Sequence, residues 1–268
     1  MNKELSYQDR NIFYRVFGEG KTVLLLHGFG ETGEVWQQQV EFLKNDFKLI
    51  VPDLPGSGRS AIIDDMSMEG LADAIKKIAD EEGIDSGNNE VLTMIGHSMG
   101  GYITMAFAEK YPQYLDAFGL FHSSAYADSD EKRATRKKGI EFVREHGAFE
   151  FFKTSTPKLF SPVTIQDNPS IVKALLETLE DFSAEAVIMY YEAMMQRPDR
   201  TEILKKTDLP VLFVIGEHDN AVPPSDSLQQ AHLPHTSFIH LLKNSGHMGM
   251  LEEAERSGLI LKEFMTET

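Results

Sequence analysis

Residues 90–101 read Glu90-Val91-Leu92-Thr93-Met94-Ile95-Gly96-His97-Ser98-Met99-Gly100-Gly101, and they are followed by YITMAFAEKY. A β-branched, apolar run thus passes through a glycine-bracketed serine into a helical pattern. This is G-x-S-x-G in its strand, tight turn and helix context. The turn holds Ser98 in a strained backbone conformation, and the residues two before and two after it must lack bulk. It lifts the hydroxyl above a sheet and places the Met99 N–H at a helix N-terminus, aimed at a developing oxyanion.

Working outward, further apolar runs recur, each ending in a Gly, Asp or His cluster. They are TVLLLHG (22–28), KLIVPD (48–53), AFGLFHS (117–123), PVLFVIGE (210–217) and SFIHLLKN (237–244). Runs that are apolar on both faces suit a parallel sheet covered by helices. Residues 5–17 alternate around Asp9-Arg10-Asn11 and predict a β-hairpin. Helical spacing appears over 35–43, 71–78, 99–110 (stopped by Tyr111-Pro112) and about 252–265. Strand alternating with helix predicts an α/β fold with a doubly wound, mostly parallel sheet.

Residues 124–206 break this rhythm with helical segments rich in Phe, Tyr and Met. The expected organisation is a core of residues 1–123 and 207–268, with an all-helical cap (124–206) inserted between strands 6 and 7. Such a cap lies over the carboxyl ends of the strands, where α/β sheets bind ligands.

A serine hydroxyl needs a base to take its proton and a third group to orient that base. Asp219, just past the strand 210–217, and His247, in the loop Asn244-Ser245-Gly246-His247-Met248-Gly249, fill those roles in the required chain order. Glu217 is the alternative acid and His218 the rival base. His97, beside the nucleophile, points into helix–sheet packing. His27-Gly28-Phe29-Gly30 is a glycine-flanked strand end that lets the Phe29 N–H pair with that of Met99 as an oxyanion hole. His27 and His122 end strands near the site, and cap residues such as Tyr190 and Met194 face it; these four are the expected substrate contacts. Asp53–Ser60 (DLPGSGRS) is turn-rich, but it lacks a P-loop lysine and opens no cofactor-binding helix.

The chain has 26 basic and 42 acidic residues, a formal charge of −16, which opposes nucleic-acid binding. It has no cysteine, so disulfide and thiol chemistry are absent. Neither H-E-x-x-H nor other ligand spacing suggests a metal, and no cofactor is expected. The N-terminal MNKELSYQDRN has no leader-type apolar run, and no run approaches the roughly 18 residues of a membrane span. The expectation is a cytoplasmic protein, monomer or homodimer, with a small-molecule substrate and neither nucleic acid nor membrane as partner.

HGFG (27–30), PDLPGSGRS (52–60), GHSMGG (96–101), GEHDNAVP (216–223) and NSGHMGMLE (244–252) together resemble the α/β-hydrolase superfamily, in order and over nearly the whole chain. The resemblance implies a triad of Ser98, Asp219 and His247, with Phe29 and Met99 as oxyanion hole. It implies a serine hydrolase, read as a carboxylesterase on small esters. Two alternatives remain: a C–C bond hydrolase or lyase of the same fold, which needs a basic residue (Arg133, Arg136, Arg144 or Arg197) for a substrate carboxylate, and a ligand-binding signalling regulator with slow hydrolysis.

Overall fold

A computed structural model describes residues 1–84 and 90–268. Its strands are β1 (Asn2–Tyr7), β2 (Arg10–Phe17), β3 (Thr22–Leu26), β4 (Lys48–Pro52), β5 (Leu92–His97), β6 (Leu115–Phe121), β7 (Val211–Gly216) and β8 (Ser237–Leu242). They form one 8-stranded sheet in the order β1-β2-β4-β3-β5-β6-β7-β8. The pairs β1–β2 and β2–β4 are antiparallel, and every later pair is parallel. This is the doubly wound fold that the sequence predicts.

The unbroken apolar runs follow from burial on both faces. All residues of β5 and β7 are buried. Alternate residues of the inner strands feed different cores. Leu24, Ile50 and Met94 pack with Leu71, Ile75 and Ile103, whereas Val23, Leu49 and Ile95 pack with Trp36, Val40 and Phe264. The first set of helical partners belongs to helices Met68–Glu81 and Met99–Lys110.

Three local expectations shift. The hairpin turns at Gln8-Asp9, one residue before the predicted centre, because Tyr7 pairs with Arg10. Both turn residues have positive φ (52° and 57°), the two-residue geometry that matches strand twist. The helix expected over 35–43 begins as a 3-10 turn, Gly33–Trp36, before Gln37–Leu43. The last helix is split into Gly249–Glu252 and Ala254–Glu267. Glu253, at the break, accepts hydrogen bonds from the Asn244 N–H (2.9 Å) and Ser245 hydroxyl (2.8 Å).

Between β6 and β7 lie helices Asp130–His146, Ala148–Ser155, Pro162–Asp167, Pro169–Glu177, Ala184–Gln196 and Thr201–Lys206. The segment's two ends are tied together, since the Arg200 N–H donates to the Ala125 carbonyl at 2.8 Å. The buried Arg200 guanidinium also holds Glu109 (2.9 Å) and Glu69. Among the described residues, no helix is long and apolar enough to cross a membrane.

Space at the turn after β5 is absolute. A Cβ on Gly96 would sit 2.3 Å from the Gly100 backbone, and one on Gly100 would sit 2.6 Å from the His27 carbonyl oxygen. These obstacles are backbone and cannot rotate away. Gly96→Ala therefore costs at least about 3 kcal/mol, a fall of roughly 6–12 °C in Tm for a domain of this size. A thermal melt of Gly96→Ala within about 2 °C of the parent would contradict the close approach.

Candidate active site

Ser98 has φ 50° and ψ −114°, outside the comfortable regions for a non-glycine residue. Its surroundings over-determine it. The Ser98 N–H donates to the Phe121 carbonyl (3.0 Å), and its carbonyl accepts from the Gly101 N–H (3.0 Å) and the Ser123 hydroxyl (2.7 Å). The side chain remains half-buried, between a fully buried His97 and a fully buried Met99.

At the carboxyl end of β7, Asp219 is 4% exposed and surrounded by donors. Its Oδ1 accepts from the N–H groups of Ala221 (2.8 Å) and Val222 (2.9 Å). Its Oδ2 accepts from Nδ1 of His247 (2.8 Å) and Nδ1 of His122 (3.2 Å). Because a carboxylate only accepts, both rings carry their proton on Nδ1 there. The neighbouring alternatives point elsewhere, as Glu217 is exposed and His218 only half-buried. The ligand atoms of His122, Asp219 and His247 lie within 4.8 Å of one another, spacing that would also suit a metal. The hydrogen bonds already formed among them occupy Asp219 Oδ2 with the Nδ1–H groups of both rings.

Burial opposes charge on His247, but the Asp219 carboxylate outweighs it and holds the imidazole pKa above its ordinary 6.5. Burial likewise opposes the Asp219 charge, yet His247 and His122 bring its pKa well below the usual carboxylate range. For His122 burial wins and pushes the pKa down to about 4. One carboxylate thus serves two histidines, and it raises the pKa of His247 alone above the ordinary value. The Nε2 of His122 is buried without a partner, and Gly249 leaves it room, since a Cβ there would lie 2.4 Å away.

The loop after β3 is organised by a residue to which the sequence reading gave no role. Glu31, 3% exposed, accepts from the Gly28 N–H (2.7 Å) and His97 Nδ1 (3.0 Å). Burial would raise its pKa, but His97 and the Gly28 N–H leave it below the ordinary value. His97 Nε2 reaches the His247 carbonyl at 2.9 Å. His97 is thus packed inside, as expected, but it also ties the β3 loop to the His247 loop. Neither Phe29 nor Met99 uses its N–H in a loop or cap hydrogen bond among the described residues. The Phe29 ring stacks on Tyr191 with centroids 4.5 Å apart and an interplanar angle of 6°.

A cavity of about 150 Å³ holds Ser98 and His247 in its wall. Phe29, Gly30 and Glu31 line it from the core, and Phe151, Phe152, Tyr191, Met194 and Arg136 line it from the helices between β6 and β7. Of the four expected substrate contacts, only Met194 lies on this wall. His27 is turned away, donating from Nδ1 to the Gly28 carbonyl (2.8 Å) while its Nε2 accepts from the Leu54 N–H (2.9 Å). His122 is held on Asp219, and the Tyr190 hydroxyl bonds Ser57 and the Pro55 carbonyl. All three are buried; His27 and Tyr190 are satisfied by loop partners, and His122 is engaged through Nδ1 alone.

Glu252 also went unread, although it closes the segment Asn244–Glu252. Its Oε1 accepts from the N–H groups of Gly246 (2.8 Å) and Met248 (3.1 Å), on either side of His247. Its Oε2 accepts from the Ser161 N–H (2.7 Å) and the Thr164 hydroxyl (2.7 Å). An acid five residues after a loop histidine is the available signal, but its partners across the fold are not visible locally.

The sequence profile of the alpha/beta hydrolase family matches residues 23–257, and the chain belongs to that family. It is 26% identical over 261 residues to a pimeloyl-[acyl-carrier protein] methyl ester esterase of Vibrio cholerae, covering 95% of this chain and 98% of that one. It is 26% identical over 259 residues to 3-oxoadipate enol-lactonase 2 of Acinetobacter baylyi, covering 94% and 91%. Among solved structures, the malate-bound thermophilic esterase of Thermogutta terrifontis superposes with TM-score 0.91 at 28% identity, covering 100% of this chain and 98% of that one. The chain is a hydrolase of the α/β-hydrolase fold.

The shared carboxylate generates a measurable asymmetry between the two rings. In a ¹H–¹⁵N titration of the imidazoles, His247 protonates with a midpoint above pH 6.5, and His122 stays neutral down to about pH 4. The reverse order would overturn the assignment of Asp219 as the partner that favours charge on His247.

Proposed function

We propose that this member of the alpha/beta hydrolase family is a serine carboxylesterase that cleaves small esters through an acyl-enzyme. The observation that carries the proposal is the shared cavity wall of Ser98 and His247, with His247 hydrogen-bonded to a buried Asp219 at 2.8 Å. Ser98 is the nucleophile, His247 the general base and Asp219 the acid that fixes its tautomer. The relatives named above as esterases and an enol-lactonase support an ester-type bond as the target.

In the proposed cycle the Ser98 Oγ attacks the ester carbonyl carbon while His247 Nε2 takes its proton. The N–H groups of Phe29 and Met99 hold the oxyanion. His247 then protonates the departing alcohol oxygen. A water, losing its proton to the same nitrogen, hydrolyses the acyl-enzyme and restores Ser98. Residues 124–206 act as the lid that shapes the acyl pocket. A volume of about 150 Å³ is that of a benzene-sized guest, which restricts the enclosed group to a few carbons.

C–C bond hydrolysis is the second reading. It shares the triad and is favoured by one observation, the Arg136 side chain in the cavity wall. Turnover of a carboxylated 1,3-diketone without turnover of any ester would select it.

The test is hydrolysis of p-nitrophenyl esters of increasing acyl length. The expected result is kcat/KM that falls with chain length and drops on the order of 10⁶-fold in kcat for Ser98→Ala. Equal rates in parent and Ser98→Ala would remove the proposal. The acid limb of kcat/KM has a midpoint above pH 6.5, because the base must be unprotonated and Asp219 raises its pKa. A midpoint below pH 6.5 would separate His247 from the catalytic base.

A further inference from the structure

Arg136 stands on helix Asp130–His146 and lines the cavity that contains Ser98 and His247. Its Nε donates to Asp128 Oδ2 at 2.6 Å and its Nη2 to Oδ1 at 3.3 Å. Asp128 is fully occupied, because Arg197 Nη1 also donates to its Oδ1 at 2.7 Å. Two guanidinium groups therefore share one buried carboxylate, and the cluster carries an excess positive charge.

The excess is not expressed at Arg197. That side chain is 3% exposed, donates to the Tyr126 and Met194 carbonyls, and lies 3.7 Å over the Tyr102 ring. Arg136 keeps 18% of its side chain accessible, and among the described residues its Nη1 takes no hydrogen bond. The one carboxylate in the same wall, Glu31, is engaged by Gly28 and His97 on the core side. The cavity thus runs from a committed anion beside His247 to an under-committed cation on the helical side. A guanidinium whose neighbours leave one edge free is built for a planar, singly charged acceptor.

Resting on the esterase reading, we propose that Arg136 is a carboxylate-binding subsite and that the substrates are small esters carrying a free carboxylate, such as hemiesters of short dicarboxylic acids. The ester carbonyl sits at Ser98 and the carboxylate at the free edge of Arg136. The surface charge of −16 does not attract such a molecule over distance, so selectivity comes from the enclosed contact. The small volume excludes long-chain acids and favours a chain of a few carbons between the two groups.

The test compares ethyl hydrogen succinate with ethyl butyrate, near-isosteres that differ in the terminal charge. Hydrolysis is followed by proton release in the parent, Arg136→Gln and Arg136→Lys. Binding of both esters to Ser98→Ala, with and without Arg136→Gln, is measured by calorimetry. Expected is a preference for the hemiester in the parent. Arg136→Gln lowers kcat/KM for the hemiester about 10–100-fold more than for ethyl butyrate, mainly through KM, and Arg136→Lys recovers part of the difference. No preference in the parent, or equal losses for both esters, overturns the subsite and leaves the esterase reading standing. Arg136-dependent binding of the hemiester to Ser98→Ala without turnover by the parent keeps the subsite and removes the esterase reading. If Arg136→Gln loses its cooperative melt, the parent's preference and the Arg136→Lys response decide.

Discussion

The loops at the carboxyl ends of the parallel strands present N–H groups that no strand can pair, and carboxylates gather them, with Glu31, Asp53 and Asp219 buried and Glu252 half-buried. Glu31 takes the Gly28 N–H after β3. Asp53, after β4, takes those of Gly33 (3.0 Å) and Arg59 (3.0 Å), with the Arg15 guanidinium at 2.8 Å. Asp219 takes two after β7, and Glu252 takes two from the loop after β8. Burying a carboxylate is costly by several kcal/mol unless its acceptor sites are filled. Each loop is thereby locked to the one backbone shape that fills them. The site is rigid because its anions leave its loops no alternative.

The same logic separates two histidines that would otherwise be equivalent. His122 and His247 both donate to one oxygen of Asp219. His122 has φ 48° and its Nε2 is enclosed without a partner, so a second proton there would be an unsatisfied buried charge. His247 opens its other edge to the cavity. Charge on Asp219 is therefore directed to the ring that can release its proton to a ligand. The neutral ring of His122 occupies the remaining lone-pair direction and limits how the carboxylate can rotate.

What was legible in the sequence is what depends on neighbours along the chain. Continuous apolar runs gave the strands, and the glycines around Ser98 gave the turn because steric exclusion acts within a few residues. Asp219 and His247 could be chosen because each follows a strand that the pattern identifies. Neither the place of His27 at a strand end nor that of Tyr190 in a cap helix says where a side chain points; Leu54, Pro55 and Ser57 claim the two from another loop. Glu31, Glu252 and Asp128 carry no such local signal for a related reason, and Arg136 and Arg197 stand out in the sequence only as possible partners of a substrate carboxylate. Glu252 reaches Ser161, 91 positions away, and Arg197 reaches Asp128, 69 positions away. Glu31 sits near Gly28 in sequence, but its meaning comes from His97, 66 positions away.

These distant contacts join the helical segment to the His247 loop more tightly than a removable cover requires. The His247 N–H donates to the Leu159 carbonyl at 2.6 Å, and a Cβ on Gly246 would come within 2.5 Å of that oxygen. Glu252 holds both Ser161 and Thr164 while gripping the backbone on each side of His247. Phe29 stacks on Tyr191 from the opposite side. Moving residues 159–164 as a unit would strip the His247 loop of its partners, and moving helix Ala184–Gln196 would break the hydrogen bonds of the Tyr190 hydroxyl to Ser57 and the Pro55 carbonyl. The helical segment is thus tied to the loops after β4 and β8, and the tie at residues 159–164 is the one that keeps His247 in register.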